Sequence, residues 1–202
     1  MIVAKQKPIE EILEGVRGAR RILVAGCNEC VTVCEAGGKK EVAVLASLLR
    51  MSFMNQGLEV KIDEITLERQ CDREYVEELR KLIDQYDVVL SLACGVGVQF
   101  LAETYLRTPV IPGLDTCFMG VTEQRGVWTE RCQGCGQCIL ARTAGICPVS
   151  RCAKRLDCAW QLIINRLKEL GRMEDYEVLL PVKDWSKERA GGPRKIVRED
   201  VR

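Results

Sequence analysis

Twelve cysteines and the absence of histidine in 202 residues set the chemistry that this chain can offer. Thiolate sulfur is a soft metal ligand, whereas imidazole, the commonest metal ligand and general acid-base group, is missing. The cysteines concentrate in two runs, and this density is typical of metal sites in a reducing compartment. The first run is Cys27, Cys30 and Cys34, and the second is Cys132, Cys135 and Cys138, with Cys147, Cys152 and Cys158 after it.

The second run resembles an iron-sulfur signature. Its first three cysteines follow one another at two-residue gaps, and a Cys147-Pro148 pair lies downstream, as in bacterial ferredoxins. The gap from Cys138 to Cys147 is longer here than in that pattern, so the spacing leaves the fourth ligand open. We take Cys158 as that ligand, with Cys147 and Cys152 as alternates.

Zinc is the main competitor for these thiols. A structural zinc site of four cysteines usually takes two Cys-x-x-Cys pairs. Here the cysteines arrive as triplets with single followers, which favours [4Fe-4S] clusters and keeps zinc as the alternative. Redox-active thiols are a weaker third hypothesis, because no isolated Cys-x-x-Cys opens a helix.

Four short apolar runs alternate with helical patterns in the first 120 residues. The predicted strands are residues 21–26, 58–66, 87–93 and 108–112. Between them, apolar residues recur at three- and four-residue spacing, as in Val42, Leu45 and Leu49. Strands that alternate with helices predict a parallel sheet with crossovers on both faces. Residues 1–120 are therefore predicted to form a small doubly wound α/β domain of the Rossmann or flavodoxin-like class.

A cysteine follows each of the four predicted strands. In chain order these are Cys27, Cys71, Cys94 and Cys117. The carboxyl ends of parallel strands share one edge of the sheet, where doubly wound proteins bind ligands, so we predict a four-thiolate site there. Its ligands are Cys27, Cys30, Cys34 and Cys94, with Cys71 as the alternate fourth ligand. Cys117 is the weakest candidate, because a single buried cysteine often behaves as a small apolar residue.

The remaining residues carry less information. Residues 121–158 lose the apolar periodicity, so bound metal is expected to hold this cysteine-rich segment in place of a core. Residues 159–202 are predicted to form a helix and an extended C-terminal arm. With 30 basic and 29 acidic residues, the chain has no net field that would recruit nucleic acid. No apolar run reaches the roughly 18 residues of a membrane span, so we expect a cytoplasmic protein without membrane insertion.

Several separate motifs resemble one protein family. They are Ala25-Gly26-Cys27 with Cys34, Glu68-Arg69-Gln70-Cys71, Ser91-Leu92-Ala93-Cys94-Gly95-Val96-Gly97, and Gly126-Val127-Trp128 through Cys152-Ala153-Lys154. Together they span almost the whole chain. On these motifs the chain resembles the MetV-type small subunit of bacterial methylenetetrahydrofolate reductase and the related cysteine-rich methylenetetrahydrofolate reductase C-terminal domain.

The resemblance implies an electron-transfer role in an oxidoreductase complex. Such subunits are understood to carry iron-sulfur clusters and to pair with a flavin-containing MetF-type catalytic subunit. Together they reduce methylenetetrahydrofolate to methyltetrahydrofolate in one-carbon metabolism, typically in the Wood-Ljungdahl pathway. Flavin is therefore expected on the partner, and a further redox module is a candidate electron donor. The alternative is a zinc-stabilised adaptor in the same complex that carries no electrons.

The chain departs from the family pattern after Leu156. The family usually continues there with an Asn-Gly-Pro-Cys-Gly-Gly segment and another cysteine, whereas Leu156 passes directly to Asp157 and Cys158. Six cysteines remain from Cys132 to Cys158. Six cysteines supply the four ligands of one cluster and leave two over. The sequence therefore does not decide whether this segment binds one cluster or two.

Overall fold

The structure, a computed structural model, describes residues 1–136, 138–151, 159–179 and 195–201. It divides into two compact units, of which the first is Ile2–Cys117 and the second joins Met1 to Phe118–Arg202. Cys152, Cys158 and residues 180–194 of the predicted arm lie outside the described residues. No helix among the described residues is long and apolar enough to cross a membrane.

The first unit alternates strands and helices. In chain order it contains β1 (Ile2–Gln6), α1 (Ile9–Gly15), β2 (Arg21–Cys27), α2 (Cys30–Val33), α3 (Lys39–Asn55), β3 (Lys61–Leu67), α4 (Arg73–Val76), β4 (Val88–Leu92), α5 (Gly95–Thr104), β5 (Val110–Pro112) and the start of β6 (Leu114–Gln124). Two short 3-10 helices, Glu77–Lys81 and Ile83–Gln85, follow α4.

A parallel sheet with the strand order β3-β2-β4-β5 forms the centre of this unit. All three strand pairs are parallel, which confirms the α/β class predicted from the sequence. The chain leaves β2 towards β3 on one side and leaves β4 towards β5 on the other, so the topological switch point lies between β2 and β4. Gly26 of β2 is in register with Leu92 of β4, which brings both carboxyl ends to the same level.

Helices cover both faces of the sheet. Leu23 and Ala25 of β2 pack in a buried cluster with Leu101 of α5. Successive strand residues point to opposite faces, so Ile22 and Val24, which are also buried, face the other layer. On that side α3 packs against β2 and β3. The sheet is therefore packed on both faces up to its carboxyl edge, where the cysteine-bearing loops begin.

Asp87 ties the starts of β2 and β4 together. Its carboxylate accepts hydrogen bonds from the backbone N–H groups of Arg20, at 2.8 Å, and Arg21, at 2.9 Å. These two bonds hold the pKa of Asp87 below its ordinary value. Because the pKa of Asp87 is lower in the folded than in the unfolded chain, its carboxylate stabilises the folded protein at pH values above the unfolded pKa. This stabilisation is lost as the pH falls through the folded pKa.

We expect the Asp87→Asn variant to be less stable than the wild type at neutral pH, with the difference shrinking as the pH falls below about 4. Urea unfolding at a series of pH values measures this. Asp84→Asn, which neutralises a nearby exposed carboxylate in the Ile83–Gln85 helix, is the matched control. A pH-independent difference for Asp87→Asn, or the same difference for both variants, would contradict the role given to Asp87.

The second unit contains the rest of β6 and a hairpin. Its further elements are β7 (Val127–Cys132), α6 (Pro148–Arg151), α7 (Ala159–Glu169), α8 (Glu174–Leu179), β8 (Lys195–Val197) and a 3-10 helix at Glu199–Val201. β7 pairs antiparallel with both β6 and β8. Part of the predicted extended arm is thus a short paired strand.

The hairpin and a small core were missed by the sequence patterns. β7 buries Thr129 and Glu130, the latter only 1% exposed, so its alternation of apolar and polar residues is broken. A further buried cluster joins Ala144 of the cysteine-rich segment to Ile163 and Leu167 of α7. Part of the cysteine-rich segment is thus anchored by apolar packing against α7.

Candidate metal centres

Four cysteines come together at the carboxyl edge of the parallel sheet; we call them the sheet-edge group. Cys27 is the last residue of β2, and Cys94 follows β4 and caps the amino end of α5. Cys71 lies in the turn between β3 and α4, and Cys30 is the first residue of α2. Because parallel strands end at one edge, these loops carry all four thiols to the same side of the sheet.

The pKa values of these thiols reflect their proximity. Burial raises the pKa of the Cys27 thiol, which is 8% exposed, and the neighbouring Cys71 and Cys94 thiols raise it further. Cys71 has an exposed surface, yet nearby protein atoms partly desolvate its thiol and raise its pKa. Cys94 and then Cys30 add to that rise. Thiols that disfavour one another's deprotonation form a site whose negative charge a bound cation would balance.

Backbone amides of two loops point at one of these sulfurs. The backbone amides of Glu29 and Gln70 lower the pKa of the Cys27 thiol, against the larger effect of burial, which raises it. Amide donors of this kind favour the thiolate, and they also influence the reduction potential of a cluster bound to it. The two loops thus contribute backbone dipoles as well as thiols.

Side chains of the same two loops bind each other. Asn28 Nδ2 donates to Glu68 Oε2 at 3.1 Å, and Arg69 Nε donates to Glu29 Oε1 at 3.2 Å. The guanidinium of Arg69 also lies over the ring of Tyr75, 5.8 Å from its centroid. These contacts link the loop that carries Cys27 and Cys30 to the loop that carries Cys71. The residues that precede Cys71 are therefore part of the site, a contribution that the sequence motif alone did not assign.

Cys34 occupies a different environment. It is fully buried after the last residue of α2, and its Sγ lies 3.5 Å from the backbone nitrogen and 3.6 Å from the carbonyl oxygen of Ala4 in β1. Its Sγ also lies 3.6 Å from the carbonyl oxygen of Val31. The predicted ligand set is Cys27, Cys30, Cys34 and Cys94, with Cys71 as the alternate. The structure places the Cys71 thiol near Cys94 and Cys30, and it places the Cys34 sulfur against β1.

Four cysteines of the second unit line one cavity of about 110 Å³; we call them the cavity group. They are Cys132, Cys135, Cys138 and Cys147. Apolar side chains, among them Ile139 and Val149, complete the wall. The fourth ligand predicted from the sequence is Cys158, with Cys147 and Cys152 as alternates. The structure brings Cys147 to the cavity, whereas Cys152 and Cys158 lie outside the described residues.

The backbone from Cys132 to Cys135, in the first part of the cavity group, forms a tight turn. The N–H of Gly134 donates to Cys132 Sγ at 3.4 Å, so an amide dipole points at the sulfur. This turn needs glycine, because Gly134 has a φ of +67° and Gly136 a φ of +76°, a region that side chains disfavour. The short Cys132 to Cys135 spacing therefore folds into a tight loop in which the Gly134 amide is turned towards the Cys132 sulfur.

Hydrogen bonds from neighbouring helices close the loop of the cavity group. Ser150 Oγ in α6 donates to the carbonyl oxygen of Arg131 at 2.8 Å, which holds α6 against the end of β7. Arg166 Nε in α7 donates to the carbonyl oxygen of Ala144 at 3.0 Å. Because Cys147 immediately precedes α6 and Cys132 follows Arg131, the Ser150 bond fixes the two ends of the cysteine loop near each other.

Both groups have the donor chemistry of a soft-metal site. Each offers four thiols without imidazole, a set that suits an iron-sulfur cluster or zinc. Within the described ranges, no three His, Cys, Asp or Glu side chains already stand in an arrangement that could hold a metal ion. Cys117 lies within β6, where its Sγ contacts the carbonyl oxygen of Asp115 at 3.5 Å.

The fold and its two thiol groups define an α/β protein with a cysteine-rich second unit. Residues 111–157 match the family described as methylene-tetrahydrofolate reductase C terminal. The matched segment contains the whole cavity group and begins within β5, beyond the sheet-edge group. No curated protein matches the chain.

Proposed function

We propose that this chain is the iron-sulfur electron-transfer subunit of a methylenetetrahydrofolate reductase complex. The observation that carries the proposal is that four cysteines line one cavity inside the segment that matches the methylene-tetrahydrofolate reductase family. In this proposal the cavity group holds one [4Fe-4S] cluster. The chain passes electrons to the flavin of a MetF-type catalytic subunit, and that subunit reduces methylenetetrahydrofolate to methyltetrahydrofolate.

The residues around the cavity group suit this role. A [4Fe-4S] cluster, when bound, supplies a one-electron carrier. Ile139 and Val149 restrict water at the cavity wall, and the N–H of Gly134 donates to a ligand sulfur. Both features influence the potential of a cluster. Cys135 and Cys138 are exposed, so electrons have a short path from the cavity to a docked partner.

We also infer that the sheet-edge group binds a metal of its own. Its four thiols come from the loops after three parallel strands, so a bound metal would join those loops covalently. A [4Fe-4S] cluster there would add a second electron carrier, whereas zinc would serve a structural role. The neighbouring thiols that raise the pKa values of Cys27 and Cys71 support metal binding, because a cation offsets their mutual repulsion.

The first test is the metal content of the chain purified without oxygen together with its flavoprotein partner. The proposal expects about four iron and four sulfide per cluster and an EPR signal after reduction. Zinc at unit stoichiometry without iron would contradict electron transfer and favour the zinc-stabilised adaptor. The same sample, assayed with the physiological donor, gives the reference rate for the variants.

The Cys135→Ser variant separates the relay from the adaptor. A relay is expected to keep its flavoprotein partner on gel filtration and to lose donor-dependent turnover at least about tenfold, because a cavity ligand is missing. An adaptor would instead lose assembly. Cys117→Ser is the control, since this cysteine lies in β6 and does not line the cavity. Full turnover in the Cys135→Ser complex would count against the relay.

A further inference from the structure

Gln70 is a fully buried polar residue that adjoins the sheet-edge group. It lies directly before Cys71 and is 0% exposed. A buried amide side chain is costly unless its donors and acceptor are paired. The hydrogen bonds of this side chain therefore show what the structure uses it for.

The hydrogen bonds of the Gln70 side chain go to the two strands at the switch point. Gln70 Nε2 donates to the carbonyl oxygens of Ala25 and Gly26, each at 2.8 Å. Gln70 Oε1 accepts a hydrogen bond from Ser91 Oγ at 2.6 Å. Ala25 of β2 and Ser91 of β4 are register partners, so one side chain from the loop after β3 spans both strands.

The same residue also contacts α5 and Cys27. A Cβ on Gly97 of α5 would come within 2.9 Å of Gln70 Cβ, so only glycine lets α5 approach this closely. The backbone amide of Gln70 also lowers the pKa of the Cys27 thiol. Gln70 thus contacts β2, β4 and α5, and its chain neighbour is Cys71. These elements supply Cys27, Cys71 and Cys94.

We propose that Gln70 is the positioning residue of the sheet-edge group, which it holds together by tying the ends of β2 and β4 to the loop that carries Cys71. Glutamine suits this place because its amide supplies two donors and one acceptor. A leucine would leave the Ser91 hydroxyl and two carbonyl oxygens without these partners, and a glutamate would turn a charged acceptor towards carbonyl oxygens. The inference rests on the proposed function only in the metal-release experiment below, because the cross-linking experiment needs no bound metal.

The metal readout uses the complete chain purified without oxygen. Gln70→Leu is expected to release the sheet-edge metal to a chelator about 10- to 100-fold faster than the wild type. Ser91→Ala deletes one hydrogen bond, and its rate of metal release is expected to rise by a smaller factor. Cys71→Ser identifies which phase of release belongs to the sheet-edge group. Gln85→Leu removes a glutamine that bonds the Lys81 carbonyl on an exposed surface, and it is expected to leave release unchanged.

A second readout does not require metal. After chelation, a short bifunctional thiol reagent such as dibromobimane is expected to join Cys71 to Cys27 or Cys94 in the wild type and to do so at least about tenfold less in Gln70→Leu. Leu79→Ala, which opens a cavity in the buried cluster beneath α5, provides a protein of lowered melting temperature. It is expected to keep the wild-type cross-linking yield, which separates positioning from general stability.

Unchanged release and unchanged cross-linking in both Gln70→Leu and Ser91→Ala would overturn the proposal, as would an equal loss of cross-linking in Leu79→Ala. If Gln70→Leu does not fold, Ser91→Ala decides the matter by the same two measurements. A wild type that cross-links in a Gln70-dependent way but binds no metal would leave Gln70 as the positioning residue of the thiols. That result would instead overturn the metal site of the proposed function.

Discussion

Replacing Cys71 with serine is expected to abolish metal binding at the sheet-edge group, whereas replacing Cys34 with alanine is expected to leave it intact. The reason is their environment. Cys71 is electrostatically coupled to Cys94 and Cys30, while the Cys34 sulfur contacts Ala4 and Val31. Loss of one of four thiolate ligands removes far more affinity than the roughly 10- to 100-fold cost of an outer-shell change.

Metal content and thermal stability, measured together, distinguish the two variants. Cys71→Ser is expected to lose one metal centre and to keep the metal of the cavity group. Cys34→Ala is expected to keep the wild-type metal content and to lose on the order of 1 to 2 kcal/mol of unfolding free energy, because a fully buried side chain is truncated. The reverse pattern, with metal lost only in Cys34→Ala, would show that Cys34 and not Cys71 is the fourth ligand.

The sequence could predict which strand ends carry thiols but not where every neighbouring thiol lies. Apolar runs located the strands, and the parallel topology placed Cys27, Cys71 and Cys94 at one edge. The positions of Cys34 and Cys71 depend on the course of two short loops. α2 ends at Val33, so Cys34 follows it into the protein interior, and this one-turn helix leaves no apolar periodicity to detect.

Polar residues explain most of what the sequence did not reveal. The segment after Cys71 is not one continuous helix, since α4 ends at Val76 and two 3-10 helices follow. The Asp72 side chain, which accepts a hydrogen bond from the N–H of Glu74, begins α4 just after Cys71. Buried Glu130 likewise breaks the apolar alternation of β7 on which strand prediction depends, and buried Gln70 lies in a loop where no apolar pattern marks it. In each case hydrogen bonding to particular partners, which only the fold supplies, decides the local structure.

Replacing Cys147 with serine is the second change with a large expected effect. Cys147 lines the cavity with Cys132, and the hydrogen bond from Ser150 to the Arg131 carbonyl holds the segments that carry them together. We expect the variant to lose the cluster of the cavity group, about four iron per chain, together with donor-dependent turnover. Iron and sulfide analysis with EPR after reduction measures the loss, and the sheet-edge metal is expected to be retained.

Three further cysteine variants make this prediction decisive. Cys117→Ser is the matched control for cysteine loss outside the cavity, because its Sγ contacts the Asp115 carbonyl within β6. Cys152→Ser and Cys158→Ser test the other two ligands that the sequence left open. If Cys147 is the fourth ligand, both of these variants keep the cluster, since three cysteines at two-residue gaps and Cys147 complete its coordination. Retention of the cluster in Cys147→Ser with loss in Cys158→Ser would instead restore the assignment made from the sequence. It would also mean that the cavity shown by the structure closes around a different fourth thiol when metal binds.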